Sequence, residues 1–258
     1  MQEYSIPVFA TGRVLRKESM ENIRDFPRDF SDAVYADYSD GIIGGFDIAY
    51  DGGAATEENL RVSGGALKKN GVIFVLKEMT AAFDSFDKNI CLKLCFGDIS
   101  KTEDFLKTGF GLKADSVFDT AENEIELARF RLAKGAKLRK KHEYKGVEDF
   151  TTPDNTLNLV HVKYSGLDSP TFSPALLRIF AKEIAVSRDI ADVSFGLLCL
   201  SGDIIHKDCI LQYLGIRLGR DFDRDITNQA IHAALIEIVK KRGAPSAVRK
   251  TGGPVLFG

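Results

Sequence analysis

Gly65, Lys68, Lys69 and Gly71 fall within RVSGGALKKNGVIFVLKE, residues 61–78, where glycines and lysines are close enough to suggest phosphate binding. A nucleotide cradle needs Gly-x-x-x-x-Gly-Lys-[Ser/Thr] between a strand and a helix, so that backbone N–H groups and the lysine converge on phosphate while the hydroxyl holds magnesium. Here both lysines precede the second glycine, and Val72 follows it. The residues after it, VIFVL, are β-branched and aromatic and read as a strand. Asn70-Gly71 is therefore expected to be a hairpin turn, because both residues tolerate positive φ.

The other chemistry-bearing residues assemble into no recognisable site. His142, His161, His206 and His232 are scattered over four segments, and Cys91, Cys95, Cys199 and Cys209 fit no zinc spacing. Cys91 and Cys95 share one face of an alternating strand, and all four cysteines read as packed free thiols. No Gly-x-Ser-x-Gly elbow occurs, so Ser63 and Ser165 read as turn residues. Glu57-Glu58 and Glu124/Glu126 read as solvated surface. DFDRDITN, 221–228, lacks the glycine and glutamate of a calcium loop, since Ile226 and His232 occupy those places, and reads as a helix N-terminal turn. The basic cluster Lys134, Lys137, Arg139, Lys140, Lys141 and Lys145 has neither interleaved aromatics nor a helix–turn–helix signature beside it, so no nucleic acid is expected. Metal, cofactor and catalytic residues are all expected to be none.

The totals fit this reading. The 258 residues are 44% apolar, enough for two ordinary cores, and 35 basic residues balance 37 acidic ones. No run has the length of a membrane helix, and MQEYSIPVFATG lacks the order of a signal peptide, so cytoplasmic synthesis without membrane partners is expected.

The fold class expected from the hydrophobic periods is α+β, a small antiparallel β-sandwich or barrel module followed by a small helical domain. Residues 1–39 read as an N-terminal arm in which Phe30, Val34 and Tyr38 stack on one helical face, with Pro27 starting or kinking that helix. Residues 40–133 form the β-rich module, with alternation in GIIGGFDIAY and ICLKLCF, a strand near Leu60 to Ala66, and a phase break between Leu127 and Ala128 that signals a bulge or a strand buried on both faces. Residues 134–170 read as a connector. Residues 171–242 form the helical domain, with Ser173 as cap, Pro174 in the first turn, and four apolar stripes expected to bury against each other. These are Leu177/Phe180/Ala181/Ile184, Ile190/Val193/Leu197, Leu211/Leu214/Leu218 and Ile231/Leu235/Ile238. Residues 243–258 are a basic Gly/Pro-rich tail whose apolar tip, Val255, Leu256 and Phe257, is expected to latch a neighbouring subunit or to fold back.

GRVLRKESMENIRDFPRDF, DYSDGIIGGFDIAYD, VSGGALKKNGVIFVLK and ENEIELARFRLAKGAKLR together resemble proteins of Firmicutes prophages and phage-tail-like particles, over nearly the full length. Members of that group are sometimes labelled helicases, a label for which this sequence has no Walker A loop. The middle portion is also similar to β-rich attachment modules of tail-fibre and baseplate proteins. The resemblance implies a structural component of a contractile tail tip that attaches tail fibres or links baseplate subunits, self-associates in a symmetric particle, and is not an enzyme. The alternative it leaves open is a receptor- or carbohydrate-binding module of the tail tip, against which the absence of tryptophan counts.

Overall fold

The computed structural model describes residues 6–53, 56–139, 143–152, 154–202 and 204–243, with the side chains of 51–58 and 242–243 set aside. The chain is α+β. Helix α1 (Lys17–Val34) comes first, followed by β1 (Gly41–Gly45), β2 (Ile48–Gly53), β3 (Thr56–Val62), β4 (Gly65–Lys69), β5 (Val72–Leu76), β6 (Met79–Ala82), β7 (Asn89–Lys101), β8 (Leu106–Asp115) and β9 (Glu124–Arg131). A short 3-10 turn at Val147–Thr151 precedes α2 (Pro174–Ile184), α3 (Ile190–Leu200), α4 (Lys207–Leu218) and α5 (Asn228–Gly243).

The described strands form three antiparallel three-stranded sheets, ordered β1-β4-β5, β2-β3-β6 and β8-β7-β9. Their inner faces share one core, to which Ile42, Leu60, Leu67, Ile90, Leu92 and Phe130 contribute from all three sheets. The turn at Asn70 (φ 50°) and Gly71 (φ 76°) has the two consecutive positive φ values of the tight hairpin expected there, and Lys69 pairs with Val72 across it.

Two strand readings need correction. GIIGGFDIAY is not one alternating strand but β1 and β2, which lie in different sheets. Gly45 (φ 80°) and Phe46 (φ 57°) both turn left-handed, which ends β1 and drops the Phe46 ring into the core. A Cβ on Gly65 would lie 2.6 Å from that ring. This glycine, read first as part of a possible cradle, is required by the close approach of Phe46. The second correction is Leu60 to Ala66, which is the end of β3 and the start of β4 with a break at Ser63 and Gly64 between them.

ICLKLCF is also more deeply placed than a half-buried strand, because Ile90 to Leu94 are buried on both faces of the central strand β7. The phase break at Leu127 is a bulge: Leu92 pairs with Ala128 and Lys93 with Glu126, leaving Leu127 as the extra residue.

A second core joins α2, α3, α4 and α5 to residues of the 134–170 span, including Val147, Phe150 and Val160. Leu138, Leu157 and Val162 of the same span pack in the β core instead, and Leu159 touches both. Pro174 occupies the first turn of α2; Ser173 stands at its N-cap position, but its hydroxyl accepts no helix N–H. The stripes on α2, α4 and α5 pack into the core as expected.

The α3 stripe does not. Ile190 is 82% exposed and Leu197 66%, with Val193 exposed beside them, while Asp192, Phe195, Gly196 and Cys199 face inward. The buried Asp192 carboxylate accepts from the hydroxyls of Ser187 (2.5 Å) and Tyr213 (2.8 Å), and Arg217 lies 2.9 Å away as its ion-pair partner. The Phe195 ring stacks on Tyr213 at 4.0 Å.

Candidate functional site

The N-terminal arm shows how these elements could work. Residues 35–40 are clamped onto the β4–β5 hairpin by Lys68, whose ammonium donates to the carbonyls of Tyr35 (2.5 Å), Ala36 (3.1 Å) and Tyr38 (2.8 Å). All three ammonium protons are used, and a cation at the C-terminal end of α1 also complements the helix dipole. Asp40 completes the clamp by accepting from the backbone N–H groups of Asn70 (2.8 Å) and Gly71 (3.5 Å). Lys68 is itself buried, so the lysine that suggested phosphate has no free proton to offer.

Beyond this anchor, no residue of α1 is buried among the described residues. Met20, Ile23, Phe26, Phe30 and Val34 recur every three or four residues on one face, all exposed, with Phe30 at 63%. Phe26 and Phe30 stack at 6.5 Å, and Pro27 lies inside the helix. Ile6, Val8, Phe9, Val14 and Leu15 ahead of the helix are exposed as well. The face expected to bury against something thus finds no cover within the described chain. Of the three residues expected on it, Phe30 and Val34 belong to α1, whereas Tyr38 lies past the helix end, half-buried and bridged to Leu167.

The outer face of α3 is a second apolar surface. Ile190, Val193, Leu197, Leu198 and Leu200 are exposed there, and Asp192, the helix's single charged residue, is turned inward. A third lies at the tip of the longest hairpin. β7 and β8 run on past the end of β9 as a two-stranded ribbon in which Ile99 pairs with Thr108 and Lys101 with Leu106, leaving Ile99, Phe105 and Leu106 exposed. Patches of this kind, rimmed by polar residues, mark contact sites.

A cleft of about 930 Å³ opens between the two cores, lined by Phe46, Tyr50, Tyr144, Phe150, Tyr164 and Ile179 among others. Its arginines are already engaged. Arg139 lies 3.1 Å from Asp149 and donates to the Glu143 carbonyl, and Arg61 lies 3.8 Å from Glu78.

Where they are described, most of the remaining sequence candidates have partners within the fold. Glu124 and Glu126 are ion-paired rather than solvated. Glu124 lies 3.1 Å from both Lys93 and Lys113, and Glu126 makes a two-pronged contact with Arg129 (2.8 Å for each). The backbone N–H of Ala121, with both lysines, holds the Glu124 carboxyl down at about 2. Burial alone would lower the Lys93 ammonium, but Glu124 and Asp115 outweigh it and hold it above its ordinary value.

Ser165 is no ordinary turn residue; it is buried, and its hydroxyl donates to the Ser39 carbonyl. His232 is buried against the Val147 carbonyl at 2.7 Å. Cys91 and Cys199 are buried, and burial pushes both thiols up to about 12, whereas Cys209 is exposed, contrary to the packed reading. Residues 221–227 form the loop before α5. Among the described residues, no group of three or more His, Cys, Asp or Glu is arranged to hold a metal, and no helix is long and apolar enough to cross a membrane. His142, Lys140, Lys141, Glu57-Glu58 and the tail tip Val255, Leu256 and Phe257 lie outside the described residues or side chains.

No family model matches the chain. No curated protein matches it by sequence. Among solved structures it is similar to a chain of the type VI secretion system TssK-TssF-TssG baseplate subcomplex, with a TM-score of 0.40 at 9% identity over 93% of this chain and 100% of that one. TssK itself gives a TM-score of 0.35 at 10% identity, covering 95% of this chain and 70% of that one. A type VI secretion baseplate complex gives 0.38 at 11%, with the same coverage. No residue role is carried over from these likenesses.

Proposed function

We propose that the chain is a structural component of a contractile, phage-tail-like particle, placed in the baseplate at the tail tip, where it links subunits or attaches fibres. The observation that carries this reading is the presence of three separate exposed apolar surfaces on one chain: the arm with α1, the outer face of α3, and the β7–β8 ribbon tip. A monomer that works alone gains nothing from an 18-residue amphipathic helix with its apolar face in water. A part that must hold several neighbours needs such faces, and burying each large apolar side chain contributes roughly 1.5–3 kcal/mol to docking. The sequence resemblance to phage-tail-like particle proteins supplies the setting. The chain's described ion pairs and buried polar groups are spent on holding the fold, which suits a non-enzymatic part.

The deciding experiment is deletion of the gene followed by imaging of the particles its host produces. Tips that lack fibres or have incomplete baseplates support the reading, and intact tips with fibres attached overturn it. A second reading, a receptor- or carbohydrate-binding module, is favoured by the tyrosine-lined cleft between the cores. It requires Tyr50→Ala and Tyr144→Ala to reduce binding to host cells while leaving assembly intact.

A further inference from the structure

We infer that α1 of one copy docks on the outer face of α3 of a second copy, so that the chain associates head to tail through an exchanged arm. The inference rests on the assembly reading above, but it concerns the isolated chain in solution and can fail while that reading stands.

Three observations point to a second copy. The two faces are both helical, apolar and uncovered among the described residues, and they sit on different cores of the same chain. α1 leaves the β module beside β5, where Lys68 fixes its end, whereas α3 belongs to the helical core. Their lengths are comparable. Met20 to Val34 spans roughly 21 Å of helix, and Ile190 to Leu200 roughly 15 Å, extended at its N-terminal side by exposed Val186.

The third observation is charge. α1 carries five acidic and three basic side chains, whereas the exposed face of α3 carries none. The α3 face is bordered by Arg188 just ahead of the helix and by Arg178, which donates to the Gly202 carbonyl just past its end, whereas Arg217 at its start is neutralised by Asp189 and Asp192. An acidic-flanked apolar helix seated on a charge-free apolar face with a basic border is complementary in both respects.

Such a contact uses a different patch on each partner. It is therefore heterologous, and copies joined by it close into a ring or extend as a chain rather than stopping at a symmetric pair. This gives a test that other associations fail. Phe30→Glu spoils the α1 face and Leu197→Glu the α3 face; both positions are well exposed, so neither change burdens the fold. Light scattering behind size exclusion, at about 100 μM, should give a wild-type mass above the 28.4 kDa of one chain and the monomer mass for each variant alone. An equimolar mixture of the two should recover a dimer, because the intact α1 of one variant meets the intact α3 of the other. Ile23→Glu and Ile190→Glu repeat the experiment at independent positions.

A wild type that stays monomeric overturns the inference and leaves a different protein as occupant. A Leu197→Glu variant that keeps the wild-type mass also overturns it, because α1 would then pair with α1. A Phe30→Glu variant that keeps the wild-type mass excludes the arm. Variants that are monomeric alone and stay monomeric when mixed show that the two faces do not meet.

Discussion

The ammonium of Lys68 lies 2.5 Å from the carbonyl oxygen of Tyr35, thirty-three residues earlier, and this contact fixes where the exposed arm leaves the β module. Without a donor at this point, three carbonyls just past the end of α1 lose their partner in a partly buried place, and the side chain that replaces Lys68 is itself buried. Lys68→Met keeps the length of the side chain and removes the donor. It should destabilise the chain by about 1.5–3 kcal/mol, the usual worth of a hydrogen bond from a charged group. Limited proteolysis should then cut between residues 34 and 41 well before it cuts the sheets. Lys68→Arg is not expected to rescue, because a planar fork cannot converge on three carbonyls as an ammonium does. Wild-type stability and wild-type proteolysis in Lys68→Met would remove the clamp from the account.

The same hairpin gives a second prediction. Nothing lies within 4 Å of a Cβ placed on Gly71, so any cost of substitution there comes from its φ of 76° rather than from a clash. Gly71→Val should lower stability by about 1–2 kcal/mol, the penalty for a left-handed conformation, whereas Gly71→Asn should lose much less. Thermal melts of the two variants compare a β-branched residue with one that tolerates this region, and equal melting temperatures would mean that the turn does not impose its conformation.

Acid sensitivity is expected from the ion-paired cluster on the outer side of β7. Glu124 is held at about 2, below its ordinary 4.5, first by the Ala121 N–H and then by Lys93 and Lys113. A depressed carboxylate contributes stability in full above the unfolded value and loses it as pH falls through the folded one. The window is therefore about pH 4.5 down to 2. Protonation would also leave Lys93, which is 0% exposed, without its nearest carboxylate. Denaturant melts across this range should show stability falling steadily in the wild type. Glu124→Gln should be less stable at neutral pH and show a flatter profile, and an equally steep profile would assign the acid response to other groups.

Much of this was legible in the sequence where one signal dominated. Asn70-Gly71 before VIFVL left only a hairpin, and Pro174 placed the start of α2. The β–α order of the two cores followed from the change of period. The sequence misled where two periods fit equally well. α3 is apolar nearly all round, so Ile190/Val193/Leu197 made as good a stripe as the face that is buried. Nothing local announces that Ser187, Tyr213 and Arg217 gather around Asp192 in the interior. β6 and β8 carry too little alternation to show in the sequence. MTAA is short, and β8 carries glycines at 109 and 111 that dilute its alternation. The clamp by Lys68 was invisible for a different reason, since it joins residues about thirty positions apart through backbone carbonyls, which no side-chain pattern records.

The ribbon at the end of β7 and β8 carries the last prediction. Beyond Phe96 these strands pair only with each other among the described residues, and residues 97–106 are all half-buried or exposed, so the tip contributes little to the core. A two-stranded ribbon is marginal in water by itself, and exposed Ile99, Phe105 and Leu106 at its tip are costly there. The arrangement makes physical sense if the tip is covered in an assembly. Replacing residues 100–107 by a two-residue Asn-Gly turn should therefore leave the melting temperature within a few degrees of wild type, since it removes no buried side chain. The shortened chain should nevertheless fail to enter particles when it is the only copy present. Quantifying the chain in purified particles against its level in the lysate reads the outcome directly. Normal incorporation would remove the ribbon from the docking surfaces and leave the arm and α3 to carry the assembly, whereas a large fall in melting temperature would give the tip a role in the fold.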